Sequence, residues 1–151
     1  MDKQTEQFIL DILASHYFLS LATVREDGYP QATTVAYAND GFNLYFMTGH
    51  ACQKVHNIQR CNKISLTVDR ECEDWEQIKG LSMGGTAAVL SEPDEIAKAA
   101  TCLEAKFPQM HEWVTATEDM SKAAFVEITP QVISVLNYAK GFGHTELVSV
   151  K

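Results

Sequence analysis

The chain has 151 residues, 46% of them hydrophobic, and a formal net charge of −8 at pH 7. That length suits one domain, residues 1–151, with a real core, and is too short for two ordinary domains. The charge argues against nonspecific binding to nucleic acid or an anionic membrane, which need a basic face; with no apolar run long enough to span a bilayer and no signal pattern in MDKQTEQF, a cytoplasmic protein is expected.

The first predicted element is a helix over Thr5 to Ser15, with Phe8, Ile9, Ile12 and Leu13 on one face and Asp2 and Thr5 near its start. A strand follows from Phe18 to Val24, a tight turn at Glu26-Asp27-Gly28, a second strand from Gln31 to Ala38, a turn at Asn39-Asp40-Gly41, and a third strand from Phe42 to Met47. Two Asp-Gly turns in succession predict an antiparallel meander, with Pro30 at a strand start where its missing N–H costs least.

The third strand runs through Thr48-Gly49 into a helix of about Ala51 to Gln59, whose Ala51, Val55 and Ile58 share a face. Lys54 sits in its first turn, where unpaired N–H groups carry partial positive charge and a cation is disfavoured by roughly 0.3–1 kcal/mol. An anion reverses that sign, so Thr48, Cys52, Gln53 and Lys54 form a candidate phosphate cradle. A solvated lysine is the competing reading of the same residues.

Beyond this helix, Ile64, Leu66 and Val68 alternate with Ser65, Thr67 and Asp69 as a half-buried strand. An acidic loop, Arg70 to Gln77, surrounds Trp75, which is expected to pack on a neighbouring surface. The fifth strand, Leu81 to Leu90, contains Gly84-Gly85, predicting a bulge or a close backbone approach. Ser91-Glu92-Pro93-Asp94 opens a second long helix with Ile96, Ala100, Leu103 and Phe107 at helical spacing. A short helical piece around Met110, Trp113 and Val114, two last strands over Lys122 to Thr129 and Gln131 to Asn137 broken at Pro130, and a tail from Tyr138 to Lys151 complete the chain. About seven strands with two or three helices favour a closed or nearly closed antiparallel barrel, a mainly β, α+β architecture.

Cys52, Cys61, Cys72 and Cys102 form no CxxC pair and are expected as reduced thiols. Cys52 and His56 are four residues apart, but two ligands do not complete a metal site, and none of the five histidines shows HExxH spacing. No metal is expected.

The order of these elements, with LATVREDGYPQATTVAY at residues 21–37, LYFMTGHACQKVHNIQRCNKISLTV at 44–68, IKGLSMGGTAAVL at 78–90 and the tail YAKGFGHTELV at 138–148, resembles the pyridoxamine 5′-phosphate oxidase-like family of FMN-binding split barrels. The resemblance implies a homodimer with FMN at the subunit interface. It implies that Thr33, Thr34 and Val35 line the flavin ring, that Met47 and Thr48 meet the ring and ribityl chain, and that Gln53 with Lys54 holds the phosphate. Gly80 and Leu81 approach from the side, across the dimer, and Tyr138 falls near an aromatic residue that flanks the flavin in the oxidases. Read from the residues alone, Thr33, Thr34 and Met47 fit ordinary strand packing better than a cofactor role.

Two departures from the family pattern bear on function. Many relatives place an arginine or another cation where Gln53 stands. The oxidases also carry an Arg-x-His element near the C-terminus that grips the vitamin phosphate, and this tail has no arginine, so pyridoxamine phosphate is not the expected substrate. His144 is a candidate substrate contact, because an imidazole titrates near neutrality, or else a surface residue of the tail. The leading expectation is an FMN-dependent oxidoreductase acting on a small molecule, with the flavin carrying the redox chemistry. A noncatalytic flavin or haem module, and a deazaflavin-dependent reductase, are the alternatives.

Overall fold

The computed structural model describes residues 1–112 and 122–150. Of the helical piece expected around Met110, Trp113 and Val114, the latter two lie outside the described residues.

Helix α1 spans Lys3–Ser15, and the Asp2 carboxylate accepts the Thr5 N–H at 2.8 Å, satisfying one of its orphan donors. Its periodic face buries Ile9, Ile12 and Leu13. Strands β1 (Phe18–Val24) and β2 (Pro30–Ala36) then pair from Phe18↔Ala36 to Val24↔Pro30. Gly28, at φ +85°, permits the turn between them. The second strand ends at Ala36 rather than Ala38, because Ala38 already pairs with Tyr45 in the next hairpin; Tyr37 between them is fully buried and donates its hydroxyl to the Leu13 carbonyl at 2.8 Å.

Strand β3 (Ala38–Asp40) pairs with β4 (Asn43–Gly49) across the second Asp-Gly turn. Helix α2 (Gln53–Arg60) and strands β5 (Lys63–Val68) and β6 (Lys79–Val89) follow, then α3 (Pro93–Lys106), β7 (Ala123–Asn137) and β8 (Thr145–Ser149). The antiparallel sheet runs β2-β1-β5-β6-β7-β4-β3, with β8 added to β7. It curls into a split barrel, with β2 and β3 at the two ends of the strand path. Inside lie Leu21, Tyr37, Phe46, Leu66 and Ile128 with the apolar face of α1. Each such side chain contributes about 1.5–3 kcal/mol on burial. A second cluster packs Ala99 and Leu103 of α3 on Tyr45 and Phe125.

Two expectations change here and a third is met. The last two strands are one strand, β7, continuous through Pro130. Its other edge pairs with β4 up to Ile128 and with β8 from Val132, so Pro130 falls in the gap where that edge has no partner. The tail, Tyr138 to Lys151, also contributes a strand, β8. The predicted irregularity at Gly84-Gly85 is present as a register shift, with Gly84 opposite Val132 and Gly85 opposite Pro130. A Cβ on Gly85 would lie 2.3 Å from the Thr129 carbonyl oxygen, so only glycine admits this approach.

The C-terminal end of α1 is pinned from two sides. Lys106 Nζ donates to the Leu13 carbonyl at 3.1 Å while lying 3.9 Å from the centroid of the Tyr37 ring. His16 is buried, with Nδ1 at 2.9 Å from the Ile12 carbonyl oxygen and Nε2 accepting from Arg70 Nε at 3.2 Å. Burial, followed by the Arg70 charge, lowers the His16 pKa below 6.5 and favours the neutral ring.

Candidate functional site

Strand β4 delivers Thr48 to the point where the chain leaves the sheet and enters α2. The Cys52 N–H bonds the Gly49 carbonyl at 3.2 Å, folding the connection tightly, and Cys52 becomes the N-cap residue of α2. Thr48 Oγ1 and Cys52 Sγ lie 3.4 Å apart. No side chain caps the helix start and no acidic residue occupies its first turn, so nothing within the helix offsets its positive end, although Glu26 and Asp27 line a pocket next to Gln53. Lys54 is half-buried beside it, and neither of the two ion pairs among the described residues involves it.

The electrostatics of Cys52 report this environment. Partial burial acts to raise its pKa, but the Thr48 hydroxyl, the N–H groups of Val55 and Lys54 and the Lys54 charge outweigh it, and the net shift is below the ordinary 9.0. A site that favours a thiolate also favours a phosphate oxygen in the same place. The donor set of Thr48, Lys54 and helix N–H groups therefore fits a phosphate monoester.

Gln53 is held differently. Its Nε2 donates to Asn57 Oδ1 at 2.8 Å, back along the helix, and the buried Asn57 donates to Thr23 Oγ1 at 2.9 Å and Gln31 Oε1 at 3.0 Å. This network ties α2 to β1 and β2 and fixes where the helix start points. Asn57 escaped the sequence reading because Thr23 and Gln31 come from other elements. The available signal was an asparagine between Val55 and Ile58, on the face that packs against the sheet.

On β2, Thr33 is half-buried, Thr34 faces outward and Val35 sits in the core, as strand alternation requires. For Val35 only the backbone on the open edge of β2 is available to a ligand. Met47 on β4 is half-buried and shares an apolar groove with Ala36 of β2, so β2 meets β4 through Ala36 and α2 through Gln31.

Gly80, Leu81 and Tyr138 do not join this group within one chain. Gly80 and Leu81 pair with Leu136 and Val135 near the end of β7, whereas Met47 and Thr48 pair with Phe125 and Ala124 at its beginning. At about 3.3 Å per residue, the strand between these points runs on the order of 30 Å or more, well beyond one flavin ring. Leu81 is buried, and a Cβ on Gly80 would meet the Val68 carbonyl oxygen at 2.9 Å, so close pairing with β5 already accounts for that glycine. Tyr138 follows β7 and bonds back through its N–H to Ile78 O at 3.0 Å. His144 lines a separate cavity of about 460 Å³ with Gln4, Phe8 and Lys140. Among the described residues, no group of three potential metal ligands converges, and no helix is long and apolar enough to cross a membrane.

Comparison with known proteins supplies independent findings. The sequence profile of the family described as pyridoxamine 5′-phosphate oxidase matches residues 5–137. No curated protein sequence matches the chain. A conserved hypothetical protein from Mycobacterium tuberculosis has a similar structure at TM-score 0.77 and 21% identity, covering 100% of this chain and 92% of that one. A haem-binding protein from Mycobacterium smegmatis aligns at TM-score 0.75 and 18% identity, over 91% of this chain and 55% of its own. The haem storage protein HutZ from Vibrio cholerae aligns at TM-score 0.69 and 14% identity, over 83% and 89%. At these identities the likeness concerns the fold.

Proposed function

The chain belongs to the pyridoxamine 5′-phosphate oxidase family, and from that premise we propose that it is a cytoplasmic, homodimeric FMN-binding flavoprotein that acts as an oxidoreductase on a small molecule. The observation that carries the reading is the uncapped start of α2, with no acidic residue in its first turn and with Thr48 and half-buried Lys54 beside it. In this reading Lys54 neutralises the FMN phosphate, Thr48 donates its hydroxyl, and the N–H groups of the first turn complete the cradle. Gln53 contributes through Asn57, by holding the helix start against β1 and β2.

Thr33, Thr34 and Met47 border the ring from the same subunit, Val35 offers its backbone, and Gly80, Leu81 and Tyr138 come from the second copy. The separation of these two groups along β7 supports the dimer, since a second copy is the simplest way to bring both to one ring. Bound FMN supplies hydride and electron transfer. The chain's own residues orient it and leave access for a substrate. Cofactor shared between copies links binding to assembly, so FMN should hold the dimer together on dilution.

The test is the visible spectrum of the purified protein, identification of what heat releases, and titration of the apoprotein with FMN. Replacing Lys54 by Ala should weaken FMN roughly tenfold to a hundredfold, the equivalent of about 1.5–3 kcal/mol for a hydrogen bond to a charged group. Unchanged affinity would rule out Lys54 as the phosphate partner. Haem binding is the second reading, favoured by the names of two structural neighbours. A Soret band on haem addition, with no FMN uptake, would select it, whereas release of a deazaflavin would select the third.

A further inference from the structure

At the far end of β7, away from the α2 junction, three aromatic rings meet on the surface. Trp75 and Phe142 have centroids 5.6 Å apart at an interplanar angle of 31°, and Tyr138 meets Phe142 edge-on at 5.5 Å. Trp75 is 63% exposed and Phe142 is 80% exposed. They border a groove of about 530 Å³ whose lining includes the carboxylate-bearing Glu76 and no basic residue. Lys140, in the same turn as Tyr138, lines the separate His144 cavity instead.

These rings are not needed to hold the two segments together. Tyr138 N–H already bonds Ile78 O at 3.0 Å, Asp74 caps the turn containing Trp75, and Asn137 caps the turn containing Tyr138. Phe142 is flanked by Gly141 at φ +141° and Gly143 at φ +68°, conformations that side chains of other residues rarely adopt. Within one chain, the glycine turn thus presents the Phe142 ring outward.

We propose that Trp75, Tyr138, Phe142 and Glu76 form a binding site for a planar organic cation. Aromatic faces attract a cation through their quadrupole and stack on a flat ring, and Glu76 in the lining supplies the opposite charge. An anion of the same shape meets the same rings and the wrong charge. If the FMN reading holds, Tyr138 also borders the flavin, which would place the cation beside it. The binding itself does not require that reading.

The experiment follows the Trp75 indole N–H by NMR, the two tryptophan signals being assigned with Trp75→Phe, during titration of the purified protein with N-methylquinolinium. Quinoline and 1-naphthalenesulfonate serve as the neutral and anionic probes of matched size. The site predicts saturable binding of the cation, about tenfold tighter than the anion, a loss of roughly tenfold in Phe142→Leu, which keeps apolar bulk without a ring, and a smaller loss in Glu76→Gln. Equal shifts with the anion, retention in Phe142→Leu, or no saturable shift because a second copy covers the rings would each overturn it. Flavin content is read separately by absorbance, so failure here and failure of the FMN reading are distinct.

Discussion

At the start of β7 the chain gathers a hydroxyl, a thiol and an ammonium group around a helix N-terminus, whereas at its end it projects aromatic rings from a glycine turn beside an acidic loop. The first region is partly buried and braced by Asn57. The second is exposed and fixed chiefly through its backbone. The contrast is one of charge preference: the junction suits an anion and the aromatic turn suits a cation, on one strand but far apart along it. Proximity in sequence is therefore a poor guide to which residues serve one ligand, and the sheet register is a better one.

The largest expected effect comes from damaging the strand that connects the two regions. Gly85→Ala would drive a Cβ into backbone atoms of Thr129 and Pro130, and should cost about 3 kcal/mol or more in urea unfolding. Gly49→Ala, whose Cβ meets nothing within 4 Å, is the control and should stay within about 0.5 kcal/mol. Equal effects would show that the bulge is pliable.

A smaller change separates the regions. Asn57→Ala leaves the buried Thr23 hydroxyl without its Asn57 partner and should cost about 1–3 kcal/mol while weakening FMN. Binding of N-methylquinolinium at Trp75 should be unaffected, and parallel losses at both sites would mean that the two are coupled.

The smallest effect is a pH shift confined to the junction. Because the Cys52 pKa is lowered from 9.0, the pH profile of its iodoacetamide alkylation, followed by peptide mass, should have its midpoint below 9.0. Thr48→Val removes a hydroxyl that lowers the pKa and should move the midpoint up, and bound FMN phosphate should do the same through like-charge repulsion. A midpoint indifferent to FMN would separate Cys52 from the phosphate site.

Much of the barrel was legible because its signals are local. The Asp-Gly turns, the alternation of Ile64, Leu66 and Val68, and the paired glycines at 84 and 85 each express a constraint within a few residues. The misread portions depend on distant partners. Pro130 looks like a strand break until β4 and β8 are seen to leave a gap beside it. In β8 only Val148 is buried, so TELVS carries too weak an alternation to declare itself. At the candidate site, the helix start was visible from Thr48 to Lys54, but the brace through Asn57 was not. The contacts that join Arg70 to His16 were equally invisible, spanning 54 residues.

Because β4, β6 and β8 all pair with β7, the barrel's assembly hangs on residues 123–137. During synthesis, the β1–β2 hairpin can form as soon as it emerges, yet β4, paired on one edge with the short β3, must wait for its other partner some 80 residues downstream. Until then its edge, and later that of β6, stand open to wrong pairings. Folding should accordingly be slow for a chain of this size, because costly long-range closure precedes most of the reward. The strand that separates the two chemistries in space is thus also the last substantial piece needed to make either of them in time.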